Sequence, residues 1–447
     1  MNDTSSQRIR GIDLARALAL IGMMAAHFGA SHEFGSSFWG SVGAITHGRS
    51  SILFAVLAGV SIALVTGRTQ PLTGEPVVQA RVRLVLRALI ILTIGSALTA
   101  YGSGIDVILP TYALLFVIAT LFLRSRRRTL AWWALGFATV GSLVTFLAAP
   151  LVYSNSWPIP FFSMIVSDNY KLLPWISLVL VGMILGRTSL TSLSNALKIG
   201  GFGAVIALVA YGSTISISSS NTDLPSNSQG SKGDVEVAPY EYQDPIELYA
   251  TPAETASSDT FTVNGQLVSA YDLAGMSCDA EAWNEGSTSG GYISCGRSSF
   301  DGSGEGLEDP YAEPSYWDQL QYERDRFLNA DPHSGTPAEI LGGIGVAMIV
   351  ISLCLLATKR FGFVFYPLTA LGSMPLTIYT AHVLTFKPLS AMTGQFELLN
   401  WSVSVAVAAV FAMLWKVKFK RGPIESLMRI AVIKFLTPPH DNRPVTR

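Results

Sequence analysis

Ten apolar runs of 17 to 23 residues recur along this 447-residue chain, and that repetition limits its fold more than any other feature. By number they cover 11–30, 50–67, 84–104, 107–123, 130–152, 170–187, 197–218, 337–358, 364–386 and 399–416. A hydrocarbon core of about 30 Å is crossed by about 20 residues of helix, and no unpaired peptide group survives cheaply in lipid. The runs therefore predict an all-α polytopic membrane protein with about ten transmembrane helices. Composition agrees: 49% of residues are hydrophobic and 14% charged, against roughly 25% charged in an average soluble protein. Soluble-enzyme, coiled-coil, disordered and nucleic-acid-binding classes are excluded. Membrane lipids are expected partners and nucleic acid is not.

The net charge of -1 conceals two opposite parts. Between Ser219 and Thr336 stand 21 Asp and Glu against 4 Lys and Arg, while the rest of the chain holds 10 acids and 26 bases. Low aliphatic content and Ser/Gly tracts make 219–336 a water-facing insertion. It separates spans 1–7 (1–218) from spans 8–10 (337–421). Inside it, Phe261 to Val268 carries a hairpin pattern with Asn264-Gly265 at the turn. Ser315 to Asn329 reads as a short helix and Ser218 to Ser231 as a linker, so a small α+β or irregular insertion fits. The segment 422–447 opens with Gly422-Pro423; Ile424 to Leu436 then sets Arg429 and Lys434 among apolar residues at helical spacing. An amphipathic helix on the inner leaflet and a helix capping the bundle fit it equally.

Basic residues orient the bundle. With the N-terminus inside, Arg8, Arg10, Arg68, Arg81, Arg83, Arg87, Arg124, Arg126, Arg127, Arg128 and Arg187 gather on the cytoplasmic side, whereas the short outer loops hold Lys171 and Lys387. Both termini are then cytoplasmic and 219–336 extracytoplasmic. Cys278 and Cys295, 17 positions apart in that outer block, are expected to form a disulfide, and Cys354 in an apolar run to be a small core residue. The first run has no small-residue cleavage site and is expected to remain as a helix.

Polar groups inside spans are costly, so each invites a functional explanation. Asp13 and Arg16 lie three apart near the inner end of span 1 and share a helix face. They either pair to orient the helix end or, with Arg8 and Arg10, line an access route for an anionic ligand. His27 lies near the outer end, and the next loop adds His32, Glu33 and His47 before Gly48-Arg49-Ser50-Ser51 opens span 2. A neutral imidazole accepts a proton from a hydroxyl near pH 7. The spacing fits no standard ligand motif, and no metal is expected. In span 9, Gly372-Ser373-Met374-Pro375-Leu376-Thr377-Ile378-Tyr379-Thr380-Ala381-His382 predicts a kink at the proline. Tyr379 and His382 then reach the depth of His27, which suggests a shared polar cavity with Asp106 and Tyr112 as further candidates for its lining.

These residues also carry a resemblance. Arg10-Gly11-Ile12-Asp13-Leu14-Ala15-Arg16, Gly22-Met23, Ala26-His27 and the stretch Gly48 to Ser61 resemble the bacterial YeiB-like family, which is similar to heparan-α-glucosaminide N-acetyltransferase. Gly372 to His382 resembles that family's Gly-x-Met-x-Leu-Thr-x-Tyr segment, and Arg421-Gly422-Pro423-Ile424-Glu425 its basic Gly-Pro-Leu-Glu motif. The likeness spans the membrane body and stops at the insertion. It implies a bacterial inner-membrane acyltransferase moving an acetyl or succinyl group from cytoplasmic acyl-CoA, with acetyl-CoA the leading donor, to a glycolipid or glycan of the envelope. The motif wording is most similar to relatives in mycolate-bearing actinobacteria that acetylate trehalose corynomycolate, which implies O-acetyl transfer to a hydroxyl, trehalose monomycolate being one acceptor.

The resemblance implicates a histidine of the first outer loop, which here offers His32 and His47. With His27 at the outer end of span 1, the ranking as general base is His27, His47 and then His32, with His382 beside them by position. Arg49 or Tyr379 is the expected oxyanion donor. Arg8, Asp13, Arg16, Arg81, Arg83 and Arg87 would rim the CoA moiety. The acidic insertion is expected to act as a lid selecting the acceptor or to dock an envelope protein. The rival reading is a lipid or glycan transporter or flippase without acyl-transfer chemistry. Broken helices suit it, but seven spans before the insertion and three after give no inverted repeat.

Overall fold

The computed structural model describes residues 8–30, 40, 43, 46–70, 74–153, 169–220, 327, 329–393 and 397–436, together with five strands between 248 and 297. His32, the Asn264-Gly265 turn, most of the expected 315–329 helix and the tail after 436 lie outside the described residues. So does all but the start of the expected 218–231 linker. The chain forms two compact units, one of Met1–Leu224 with Pro314–Arg447 and one of Pro225–Glu313.

The first unit contains α1 (Arg10–Ala25, continued by a π turn at Ala26–Ala30), α2 (Arg49–Val65), α3 (Glu75–Tyr101), α4 (Leu109–Ala119), α5 (Arg127–Gly136), α6 (Ser142–Tyr153), α7 (Leu172–Gly186) and α8 (Leu193–Ser220). After the insertion come α9 (Pro337–Phe361), α10 (Tyr366–Leu371), α11 (Pro375–Thr393), α12 (Glu397–Lys418) and α13 (Pro423–Leu436). Each expected span falls on helix. Arg10–Gly29, Glu75–Tyr101, Arg127–Ala149, Leu193–Thr214, Pro337–Phe361 and Glu397–Lys418 are long and apolar enough to cross a bilayer, and Arg49–Val65, Leu109–Phe122 and Leu172–Gly186 are shorter apolar helices. The protein is a multi-pass α-helical membrane protein.

The short α2 and α7 are apolar on every side, as interior helices must be. Leu57, Val60, Leu178 and Met183 are almost fully buried where the two helices cross. Gly59 and Gly182 make that crossing close: a Cβ on Gly59 would strike the Val179 carbonyl, and one on Gly182 the Val56 carbonyl. Outward residues are apolar too, including Trp132, Leu208 and Val417, which are at least 74% exposed. A belt of that kind suits lipid, not water.

Local chemistry sets the breaks. Thr336 caps α9 by accepting from the Glu339 N–H at 3.1 Å, with Pro337 following. The Thr-x-x-Glu pattern is that of a capping box, but the Glu339 carboxylate turns to the His333 and Gly335 N–H groups instead. The ninth span is two helices instead of one, parted at Gly372–Met374 just where the proline after small residues predicts a break. Gly372 passes directly against α1, where any Cβ would overlap the Asp13 carbonyl oxygen. Arg187, after α7, is buried and donates to the Leu123 carbonyl at 2.8 Å and to that of Ser125, satisfying groups left bare where α4 ends. Cys354 is a buried free thiol.

In α13, Val432 is buried while Leu427, Ile430 and Phe435 stay exposed on another side. The helix therefore packs on the bundle and also leaves an apolar face uncovered.

The second unit holds an antiparallel sheet in the order β3-β2-β1-β5-β4, with β1 at Leu248–Thr251, β2 at Thr260–Val263, β3 at Gln266–Ser269, β4 at Met276–Asp279 and β5 at Tyr292–Arg297. Val263 pairs with Gln266, as a two-residue hairpin loop requires. In the β4–β5 pair, Cys278 stands directly opposite Cys295.

Candidate functional site

At the arginine-rich end of the bundle, Asp13 is buried and held by two cations. Arg8 Nε lies 2.5 Å from Oδ2, and Arg16 donates to Oδ1 at 2.8 Å. Arg8 also donates to the Ser373 carbonyl at 2.7 Å, and Arg16 to the Ser61 hydroxyl at 2.7 Å. The network thus ties α1 to α2 and to the α10–α11 break. The pairing expected of Asp13 and Arg16 is present, and Arg16 in addition reaches a cavity wall.

Next to this break, the Glu425 carboxylate accepts from the N–H of Leu376 at 2.8 Å, the N–H of Thr377 at 3.2 Å and the Thr377 hydroxyl at 2.6 Å. The Ile424 N–H donates back to that hydroxyl at 3.1 Å. A carboxylate from α13 therefore caps the first turn of α11, where the helix dipole favours negative charge. The two motifs that looked separate in the sequence form one joint.

Above the joint lies an apolar cavity of about 210 Å³. Arg16, Arg87 and Glu425 are the charged residues of its lining, beside Phe116, Tyr112 and Tyr379. The Arg87 Nε is buried and has no hydrogen-bond partner among the described residues. Arg83 is exposed and does not line this cavity.

Tyr112 and Tyr379 also hold the structure behind the cavity. Tyr112 donates to the Ser51 carbonyl at 3.2 Å, and the Tyr379 hydroxyl accepts from the Ile108 N–H at 3.3 Å. Ser51 lines a second cavity, of about 490 Å³, bounded by the ends of α1, α2, α7 and α9. This one is polar. His27, His47, Ser50, Asp106, Asn169, Tyr170 and His333 face it. Asn169 donates to the Asp106 carboxylate.

His382 stands one turn beyond Tyr379 on α11, and its Nε2 lies 2.9 Å from His27 Nδ1. The two rings are nearly parallel, at 4°, and Phe28 and Phe386 pack edge-on against His382. The second cavity thus receives one member of a hydrogen-bonded imidazole pair whose other member is walled by aromatics. Such a pair can take a proton at one nitrogen while the neighbouring ring shares the developing charge. His47 reaches the same cavity and meets His333 edge-on at 5.5 Å. Arg49 is elsewhere: its guanidinium lies over the Tyr211 ring at 5.2 Å, and it does not line either cavity.

His333 and Glu425 were missed by the sequence reading. His333 precedes a capping-box signature that marks a buried helix start, and its half-buried ring packs beside His47 with Nδ1 enclosed. That burial holds its pKa down to about 4, so the ring is neutral at pH 7. Glu425 lay inside a quoted motif, but its partner is 48 residues away in sequence.

Residues 8–216 match the family model described as heparan-alpha-glucosaminide N-acetyltransferase, catalytic, and residues 317–434 match a model described as a protein of unknown function, DUF418. No curated protein and no solved structure matches the chain. The first match makes this a membrane protein of the acetyltransferase type. Together the two matches support the YeiB-like family related to heparan-α-glucosaminide N-acetyltransferase as the kin of this chain.

Proposed function

We propose that the protein transfers an acetyl group from acetyl-CoA, or a succinyl group from its CoA thioester, to a hydroxyl of an envelope glycolipid or glycan. One observation carries the reading: an apolar cavity with Arg16 and Arg87 in its lining and a polar cavity lined by His27 of the histidine pair meet where Tyr112 of the first bonds Ser51 of the second. An acyl-CoA has a phosphate-rich end suited to Arg16 and Arg87, and a pantetheine arm suited to an apolar passage. A sugar suits the polar cavity. His27, backed by His382, takes the hydroxyl proton as the oxygen attacks the thioester carbon. The C–S bond breaks, and CoA leaves as the thiol once the proton taken up by His27 is returned to its sulfur, which restores the neutral imidazole. Tyr379 is the oxyanion donor on this reading, while Arg49, set over Tyr211, supports the fold.

In the same reading the arginine-rich end faces the cytoplasm of a bacterial inner membrane, both termini lie there, and 219–336 lies outside. The acceptor class includes trehalose monomycolate. An outer location also supports a Cys278–Cys295 disulfide, since directly opposed residues of antiparallel strands have Cα separations within the bridgeable range. Both cysteines should take up iodoacetamide only after reduction, as read by peptide mass. Labelling of both without reductant, in protein extracted from membranes with thiols blocked, would exclude the bridge.

The direct test incubates the purified protein in detergent with radiolabelled acetyl-CoA and an envelope lipid extract. Label should move into a glycolipid. Absence of transfer with acetyl-CoA and succinyl-CoA alike, together with absence of CoA binding, would end the acyltransferase reading.

A further inference from the structure

The proposed chemistry leaves His333 without a task, yet the fold holds this residue with unusual care. Its backbone has φ +63°, and Arg68 is the only other non-glycine among the described residues with a positive φ. L residues avoid that region, histidine less than most. Two side chains, Glu339 and Lys171, maintain it. The His333 N–H donates to Glu339 Oε1 at 2.6 Å, the Gly335 N–H to Glu339 Oε2 at 2.7 Å, and Lys171 Nζ reaches the His333 and Ser334 carbonyls at 3.3 and 2.7 Å. The ring is wedged edge-on against His47 and Tyr170, each at 5.5 Å.

What this clamp presents is a hydrogen-bonding atom without a partner. His333 Nδ1 is buried and makes no hydrogen bond among the described residues. A neutral imidazole has one donor and one acceptor nitrogen, and buried polar atoms in folded proteins are nearly always paired. His333 lines the polar cavity, whose other polar groups include the Asp106 carboxylate and the Asn169 amide. Carboxylate, amide, imidazole and the adjacent Tyr170 ring form a lining suited to a polyhydroxylated ligand.

We propose that His333 is a specificity-determining residue for the acceptor, its Nδ1 hydrogen-bonding a hydroxyl of a sugar ring seated in the polar cavity. The inference rests on the acyl-transfer reading and adds a residue and a substrate class to it. His333 does not carry the proton in this scheme; it fixes which hydroxyl approaches His27.

Two variants separate this role from a structural one. His333→Gly adopts the left-handed backbone freely and removes the ring, whereas His333→Asn tolerates that backbone and keeps a polar atom near the Nδ1 position. Both are compared with wild type by labelled acetyl transfer, titrating the envelope lipid extract and acetyl-CoA in turn, and by thermal unfolding in detergent. The expected result is an apparent KM for the extract raised about five- to tenfold in His333→Gly, the scale of one lost hydrogen bond. The KM for acetyl-CoA and the thermal midpoint should stay unchanged, and His333→Asn should recover most of the acceptor KM. An unchanged acceptor KM in His333→Gly, or an equal rise for donor and acceptor with a lowered midpoint, would overturn the proposal alone. If wild type labels nothing in the extract, the acyl-transfer reading falls and this proposal with it.

Discussion

Replacing His382 by alanine is expected to slow acetyl transfer by about 10²–10⁴-fold, the range for losing general-base assistance. The geometry behind this is the 2.9 Å contact between His382 Nε2 and His27 Nδ1. When His27 removes the acceptor proton, its ring becomes cationic. A partner nitrogen at hydrogen-bond distance stabilises that cation, and aromatic packing keeps the partner in line. His27→Ala should cost as much or more, because it removes the ring that lines the acceptor cavity. If the two rings act as one unit, the double variant should be little worse than the worse single one. The readout is single-turnover transfer at saturating acetyl-CoA, with CoA binding measured separately by calorimetry. Retained binding with lost transfer supports the paired-base mechanism; full activity in His382→Ala would remove His382 from it.

The largest structural effect is expected at the α2–α7 crossing. Gly59→Ala introduces a single methyl group where the Val179 carbonyl and the Gly182 Cα already stand. Backbone cannot rotate aside as a side chain can, so the helices must separate along their contact. Overpacking of this kind costs about 3 kcal/mol, and the loss of close helix contact in lipid adds to it. We expect a collapsed yield of monodisperse protein and a lower thermal midpoint. Gly201→Ala on α8, which has open space at the same atom, should be neutral or slightly stabilising. Equal behaviour of the two variants would show that the crossing tolerates expansion.

Much of the fold could be read in the chain because membrane helices announce themselves locally. A bilayer imposes a length and an apolar character on every span, so the ten runs and the break at Pro375 were visible without any knowledge of neighbours. Asp13 and Arg16 were also legible as a pair, being three apart on one helix. Candidate histidines stood out because charge and polarity are rare in such runs. Their grouping was not so plain. His27 and His382 are 355 residues apart, and nothing in either segment encodes a distance of 2.9 Å. Arg49, at the start of the second span, read as an oxyanion donor, but the fold sets its guanidinium over the Tyr211 ring instead.

The sequence by itself determined the class of the protein: spans, the acidic insertion and the residue types able to move a proton or hold an anion follow from local composition and spacing. The tertiary structure decided how those residues act together. It made the two separate motifs one capped joint through Glu425 and Thr377, put the histidines into pairs, and set an arginine-marked apolar cavity back to back with a polar one. The reason is physical. Hydropathy is a property of each segment against its solvent, whereas a site is a set of distances between segments, fixed only when all of the helices pack.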